Sequence, residues 1–420
     1  MSDVTETLMN ALQSNPGKGS AFSLGLTEEQ QQLKDWVHDF AQKEVRPVAA
    51  EYDESEETPW PVIEKAAEIG LYSSEFLMQA FSDPTGLTLP VVSEELFWGC
   101  AGIGLSIFGT QLAAAGIFAN AAPDQLLKWV PACYGTPGDV KLGAWCMTES
   151  QAGSDVASLR TTAKKDGNEW VLNGQKVFIT NGGIADVHVV VATVDPELKH
   201  KGQATFIVEK GTPGLSQGKK EKKMGIRASH TAEVILDNVR VPEENLLGGE
   251  DRLMKKIEKA RSGDKARESS GMLKTLETSR PIVGAQAVGI ARAAYEFALE
   301  YAKEREQFGR RIIENQAIAF KLADMKMAID AARLLVWRGA WLGRNGEYEA
   351  GEGSMAKLFA SETAVAVTDE AIQILGGYGY IREFPVEKWH RDAKIYSLFE
   401  GTSEIQRLVI SRAISGIHIK

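Results

Sequence analysis

Residues 170–180 read Trp170-Val171-Leu172-Asn173-Gly174-Gln175-Lys176-Val177-Phe178-Ile179-Thr180. Two β-branched and aromatic runs flank an Asn-Gly pair, a dipeptide that tolerates the positive φ of a tight turn. The pattern predicts a β-hairpin. Further short runs of the same kind follow at Val187–Thr193, Ala204–Val208 and Ala232–Leu236, with no helix of useful length between them. The block from about Lys141 therefore reads as an antiparallel β domain, not as alternating strands and helices of a Rossmann sheet.

The flanks change period. Thr27 with Gln30 three residues later forms a capping-box signal, and Leu33, Trp36, Val37 and Phe40 follow at helical spacing. Pro47 ends or bends that helix. Pro61–Ile69 and Leu89–Trp98 are helical too, and a glycine-interrupted apolar run from Ala101 to Ala121 reads as a buried helix. After Gly271 the chain is helical again, with long Ala-rich stretches at Arg280–Arg305, Gln316–Leu342, Met355–Leu375 and Ser403–Ile414. The charged, mixed-sign stretch Asp251–Glu268 reads as a solvated linker or surface helix. The fold class is α+β multidomain. A flexible tail (1–24) precedes an N-terminal helical domain (25–140) and a middle β domain (141–248). A linker (249–270) leads to a C-terminal four-helix bundle (271–420).

Composition narrows the function. The 420 residues are 44% hydrophobic and 25% charged, a globular balance. The formal net charge of −10 has the wrong sign for a general nucleic-acid binder. No uninterrupted apolar run reaches the length of a membrane span. Three cysteines, Cys100, Cys133 and Cys146, and six scattered histidines offer neither a disulfide framework nor metal-ligand spacing, so no metal is expected. The acidic, polar N-terminus resembles neither a signal nor a transit peptide, and a cytoplasmic location is expected.

Five segments have the residue types that chemistry needs, and each also fits an ordinary structural role. Glu149–Asp155 follows a strand-like stretch, Leu142–Thr148. Its small residues let a backbone approach a flat or phosphorylated ligand, or form a plain surface turn. Phe178 and Thr180, two apart in a strand, share a face that covers and hydrogen-bonds an aromatic ring, or serves the core. Arg305, followed by Gln307, Phe308 and Gly309, offers a guanidinium fork for a pyrophosphate, or a cation at a helix C-terminus. Gly376-Gly377 either exposes amides to phosphates or ends a helix. Glu400, after Leu398 and Phe399, is a carboxylate whose pKa apolar neighbours raise towards that of a useful base, or an exposed loop residue. Ser403 and Gln406 give a capping-box signal, which starts a helix just beyond Glu400.

These segments occur in one order as GAWCMTESQAGSD, NGQKVFITNGG, REQFG, QILGGYGYIREFPVEKWHRDAKI and FEGTSEIQRLVI. In that order they resemble the acyl-CoA dehydrogenase family over nearly the whole chain from Thr27. The resemblance implies a helical, β, helical architecture, non-covalent FAD, and oxidation of an acyl-CoA thioester to the trans-2-enoyl-CoA. It places Glu400 as the catalytic base, its own backbone amide helping to hold the thioester oxygen. It places Trp145, Met147, Thr148, Gly153, Ser154, Phe178 and Thr180 around the flavin. Arg305, Gln307 and Phe308 reach the FAD of a neighbouring subunit, extended by Asn315, Gln316, Gln373 and Gly377. Thr402 and Glu404 lie near the phosphates and adenine. Ser154, Glu277, Arg280 and Gly401 lie on the acyl-CoA side. It further implies electron-transfer flavoprotein as electron acceptor and a homo-oligomer, normally a tetramer.

Some members carry the base on the long helix near Arg280. Ser279 stands there instead, which favours Glu400. Gln151 and Phe178 depart mildly from the family pattern. At the acyl pocket, Gly104 is expected to open the far end and Phe108 to narrow it, with straight, short to medium chains slightly ahead. An oxidase that passes electrons to dioxygen and a non-catalytic interaction protein of the same fold remain as alternatives.

Overall fold

The computed structural model describes residues 23, 25–262, 271–346 and 348–419, and only the backbone of 271–278. The expected tail, the end of the linker and the Glu277 side chain lie outside the described residues.

Among the described residues the N-terminal part is a stack of eight helices: α1 (Glu28–Phe40), α2 (Ala49–Ser55), α3 (Trp60–Glu68), α4 (Ser74–Ser82), α5 (Thr88–Gly99), α6 (Ala101–Phe108), α7 (Thr110–Asn120) and α8 (Pro123–Ala132). The Thr27 capping box is present: the Thr27 hydroxyl accepts from Gln30 N, and the Gln30 side chain accepts from Thr27 N. Pro47 bends the chain as expected, through a π-turn (Ala41–Val45) and a 3₁₀ turn (Arg46–Val48) into α2. The continuous helical run Ala101–Asn120 is long and apolar enough to cross a membrane by length and composition alone, but 78% of its most apolar window is buried inside the protein.

A short ladder of β1 (Gly135–Thr136) and β2 (Asp139–Val140) leads into the middle sheet. Its strands are β3 (Gly143–Cys146), β4 (Thr162–Asp166), β5 (Glu169–Thr180), β6 (Val187–Thr193), β7 (Gln203–Glu209), β8 (Leu215–Lys220) and β9 (Thr231–Pro242). They lie in the order β3-β6-β4-β5-β9-β8, with β7 also paired to β6. Most pairings are antiparallel as expected, but β3 runs parallel to β6, and β4 meets β6 in a parallel bridge.

The expected Asn173-Gly174 hairpin is not there. β5 runs straight through that pair, which forms a bulge against β9 between Leu172 and Gly174. Asn173 Oδ1 accepts from Asn238 N at 2.8 Å, and a Cβ on Gly174 would lie 2.4 Å from Thr161 Oγ1. Asn-Gly is used for close backbone approach, not for reversal. The hairpin is made one strand earlier, where Gly167-Asn168 joins β4 to β5 and Gly167 has φ 61°.

Beyond the sheet, α9 (Gly249–Arg261) occupies much of the charged stretch. Then come α10 (Gly271–Glu304), α11 (Gln316–Asn345), α12 (Glu352–Leu375), α13 (Val386–Lys394) and α14 (Ser403–Ser415). A two-stranded ladder, β10 (Glu306–Gln307) with β11 (Arg310–Arg311), links α10 to α11. The long α10 packs against α5, α11 and α12 and joins the two helical parts. It crosses α5 so closely that a Cβ on Gly289 would lie 2.3 Å from the Glu94 carbonyl oxygen. Beside the crossing Arg292 bridges Glu94 and Glu95, and Arg333 of α11 also holds Glu94. Gly289→Ala should therefore destabilise the protein by about 1–3 kcal/mol, although alanine is the better helix former. Thermal unfolding measures this, and an unchanged or raised midpoint would show that the crossing can open.

Candidate active site

The chain folds so that one small pocket is walled by all three regions. α5 to α7 contribute Leu89, Leu105, Phe108, Gln111, Leu112 and Ala115, the end of β5 contributes Thr180, and α10 contributes Ser279, Ile282, Val283 and Gln286. Phe399 and Glu400 close it, leaving a cavity of about 90 Å³. Phe108 narrows it, as expected. Gly104 does not open it: a Cβ there would touch the Phe97 ring at 3.0 Å, so this glycine makes room for a core aromatic.

Glu400 sits in the turn between α13 and α14 at φ 52°, a conformation unfavourable for a side-chain-bearing residue. Burial raises its pKa; the charges of Lys357 and Arg280 and a hydrogen bond from Ser279 pull in the other direction without cancelling the rise. Ser279 Oγ lies 3.4 Å from Glu400 Oε2. The Glu400 N–H has no hydrogen-bond acceptor among the described residues. A carboxylate in an apolar wall, with a free N–H on the same residue, has the parts of a proton acceptor beside an oxyanion donor.

The turn is fixed from behind, by a device other than the expected one. Thr402, not Ser403, caps α14, its hydroxyl accepting from Ile405 N at 3.2 Å. Gln406 reaches back with Nε2 to the carbonyl oxygens of Glu400 (3.1 Å) and Gly401 (3.0 Å), instead of completing a capping box with Ser403. Gly401 has φ 90°, and any Cβ on it would lie 2.5 Å from that amide nitrogen. Glu404 is exposed in the first turn of α14.

The second set of expected residues lies along β3 and β5. Trp145 is in β3, and its ring edge rests on α7 where only a glycine fits: a Cβ on Gly116 would lie 2.2 Å from Trp145 Cζ3. Met147 and Thr148 follow, tied to β5 by Val177 N donating to Thr148 O at 2.9 Å. Phe178 lies in a second β5 bulge at φ 58° and is 65% exposed, so simple strand alternation does not relate it to Thr180. Gly153 and Ser154 are exposed on the loop after β3.

That loop is anchored by a pair that the sequence reading missed. Lys176 and Glu149 are both buried and 2.7 Å apart. Lys176 Nζ also donates to Met147 O, while Glu149 accepts from the amides of Arg160 and Thr161. A lysine inside an apolar strand facing a glutamate just past its neighbour was the available signal. Burial pushes Glu149 up, but Lys176 and these donors hold it at about 2.

The third set lines a separate hollow of about 540 Å³ that includes Arg305, Gln307, Gly376, Gly377 and Tyr378. Phe308 and Gly309 turn β10 into β11, both at positive φ, and Phe308 is 97% exposed. Asn315 precedes α11, with Nδ2 donating to Ile312 O, and Gln316 and Gln373 are exposed. Arg280, next to Ser279 in α10, is buried and donates to Ser354 Oγ at 2.9 Å.

Glu400 and Thr180 thus share one pocket, Phe178 stands exposed on β5, and the Arg305 guanidinium lines a separate hollow. Family models identify the chain. Residues 27–135 match the acyl-CoA dehydrogenase N-terminal domain, 144–239 the middle domain and 270–415 the C-terminal domain. The short-chain specific acyl-CoA dehydrogenase, mitochondrial, of Bos taurus is 42% identical over 393 residues, 93% of this chain and 90% of the relative. The butyryl-CoA dehydrogenase structure from Megasphaera elsdenii superposes with TM-score 0.82 at 38% identity, covering 93% of this chain and 99% of that one. A structure described under the electron transferring flavoprotein of Acidaminococcus fermentans gives 0.83 at 38% identity, covering 94% and 99%. The chain belongs to the acyl-CoA dehydrogenase family and is an oxidoreductase whose cofactor is FAD.

The residues present fit that cofactor. Phe178 and Phe308 project strained, exposed aromatic rings, and a Cβ on Gly376 or Gly377 would meet nothing within 4 Å, which leaves their backbone open to a ligand.

Lys176→Met strands a buried carboxylate, which costs about 3–5 kcal/mol at neutral pH. The sign follows from Glu149. A carboxyl lowered in the fold contributes its stability above its ordinary value near 4.5 and loses it as pH falls towards about 2. In the variant a protonated Glu149 is tolerated without a partner, so the deficit should shrink on acidification. Urea unfolding at about pH 7 and about pH 4 tests this, and an equal deficit at both would dismiss the pair.

Proposed function

We propose that this chain oxidises short, straight-chain saturated acyl-CoA thioesters to trans-2-enoyl-CoA, with Glu400 as base and electron-transfer flavoprotein as acceptor. The observation that carries this is the Glu400 turn: a carboxylate with raised pKa in the pocket wall, and a backbone N–H on the same residue without an acceptor.

An α C–H is a very weak acid, so proton removal needs the thioester oxygen held where negative charge develops. The Glu400 N–H is available for that oxygen, and the Glu400 carboxylate takes the α-proton. When bound, FAD supplies the two-electron acceptor for the β-hydride at its N5. The apolar side chains around the pocket limit the access of water to the half-buried Glu400. Glu400 ends protonated and the acyl group unsaturated, so protons and electrons balance.

The pocket supports the short-chain reading. It is small, and Gln111 and Gln286 place amides in its wall. Pressing a longer apolar chain against them strips their water without giving a hydrogen bond, which is costly. The names of the bovine relative and the Megasphaera structure support the short-chain reading, and the Acidaminococcus structure supports the acceptor.

A homo-oligomer, proposed as a tetramer, fits the exposed apolar groups. Phe320, Met327 and Leu334 repeat every seven residues along α11, and Tyr380 and Phe308 stand out beside the Arg305 hollow. A neighbouring subunit meeting Phe308 would bring its own FAD to Arg305 and Gln307.

The decisive experiment is anaerobic flavin bleaching across a panel of acyl-CoAs. Butyryl-CoA should bleach fastest; no bleaching by any saturated acyl-CoA would refute the proposal. Hydrogen peroxide formed in step with substrate in air would instead place the protein among oxidases. Glu400→Gln should keep its flavin and lose at least about a hundredfold in bleaching rate; a fully active variant puts the base elsewhere. Arg305→Ala should lower the flavin-to-protein absorbance ratio after gel filtration, and an unaltered ratio removes Arg305 from the cofactor site.

A further inference from the structure

Lys357 lies in α12 and is not among the residues that line the pocket, and the reaction as proposed does not use it. It is fully buried. Its Nζ donates to the carbonyl oxygens of Tyr396 at 2.5 Å and Gly401 at 2.7 Å, which brackets the turn at both ends. Gln406 holds the Gly401 oxygen as well, and the Glu400 oxygen beside it. Three carbonyls around the base are thus held by two side chains, one charged and one neutral. Burying an ammonium is costly, and carbonyls alone return only part of that cost. The remaining compensation comes from carboxylates, first Glu400 and then Glu404, whose charges act on Lys357.

We infer that Lys357 is a positioning residue for the catalytic base. Its hydrogen bonds hold Glu400 at positive φ with the N–H free, and its charge sets the pH below which Glu400 ceases to accept a proton. This rests on the reading of Glu400 as base.

The groups that face the Glu400 carboxylate are Lys357 from α12 and Arg280 and Ser279 from α10; Glu404 of α14 acts on Lys357. Burial raises Glu400, and the two cations oppose it. Burial also brings Lys357 down, to about 8, so its charge is present throughout the acid side of the profile. Removing that charge leaves burial less opposed and lifts the acid limb to higher pH.

The test is the pH profile of anaerobic flavin bleaching by butyryl-CoA in the holoenzyme. Lys357→Met should slow bleaching at least tenfold at neutral pH and move the acid limb up by about one pH unit or more. Lys357→Gln, which keeps a donor and removes only the charge, should move the limb equally, and it decides the matter if the methionine variant does not retain FAD. Lys357→Arg should hold the limb near its wild-type position. Gln406→Leu should slow bleaching without moving the limb, because the amide carries no charge. A limb that superimposes on wild type in a flavin-bound Met or Gln variant overturns the inference. If Glu400→Gln is inactive at the same time, only the role of Lys357 is lost. If Glu400→Gln bleaches at the wild-type rate, the reading of the base falls and this inference falls with it.

Discussion

The chemistry proposed for Glu400 depends on a backbone conformation that residues with side chains rarely adopt. At Glu400 that conformation is left-handed, and it persists because the surroundings over-determine it. Gly401 supplies the freedom, Gln406 and Lys357 take the carbonyls, and Thr402 starts the next helix immediately. The rest of the fold can be understood as support for this turn. α12 carries Lys357, α14 carries Gln406, and α10 brings Ser279 to the carboxylate and locks the bundle to α5 at Gly289.

The same backbone conformation recurs at two exposed aromatic residues. Phe178 and Phe308 are non-glycine residues at positive φ, and both are exposed. Buried Ile226 also has positive φ, so what sets the two phenylalanines apart is apolar exposure added to the strain. Together they are what supports the cofactor and subunit contacts proposed for these two residues.

Much of this was legible in the sequence. The long helices announce themselves by period and caps, and the five β-branched and aromatic runs fall on four observed strands, two of which, β6 and β7, are buried along nearly their whole length. The family motifs named Glu400, Thr180 and Arg305 in advance, and the structure brings the first two into one pocket and Arg305 into another hollow. What failed were local signals with two physical uses. Asn-Gly serves a turn or a bulge, and only the partner strand decides which. Ser403 with Gln406 looks like a capping box, but Thr402 competes for the same helix start and frees Gln406 for the turn. The parallel pairing of β3 with β6 is a long-range choice that no short window records. Lys176 and Lys357 stayed hidden because a lysine in an apolar element reads as an irregularity until its acceptor is seen in space.

The buried pair of Lys176 and Glu149 limits how this protein can drift. Losing either charge alone strands the other in a dry interior, whereas replacing both by well-packed apolar groups is often neutral or better. The two positions are therefore expected to change jointly or not at all, although 26 residues separate them in the chain. A single conservative-looking exchange at either one is the least tolerated route, and the loop that carries Met147 and Thr148 inherits that rigidity.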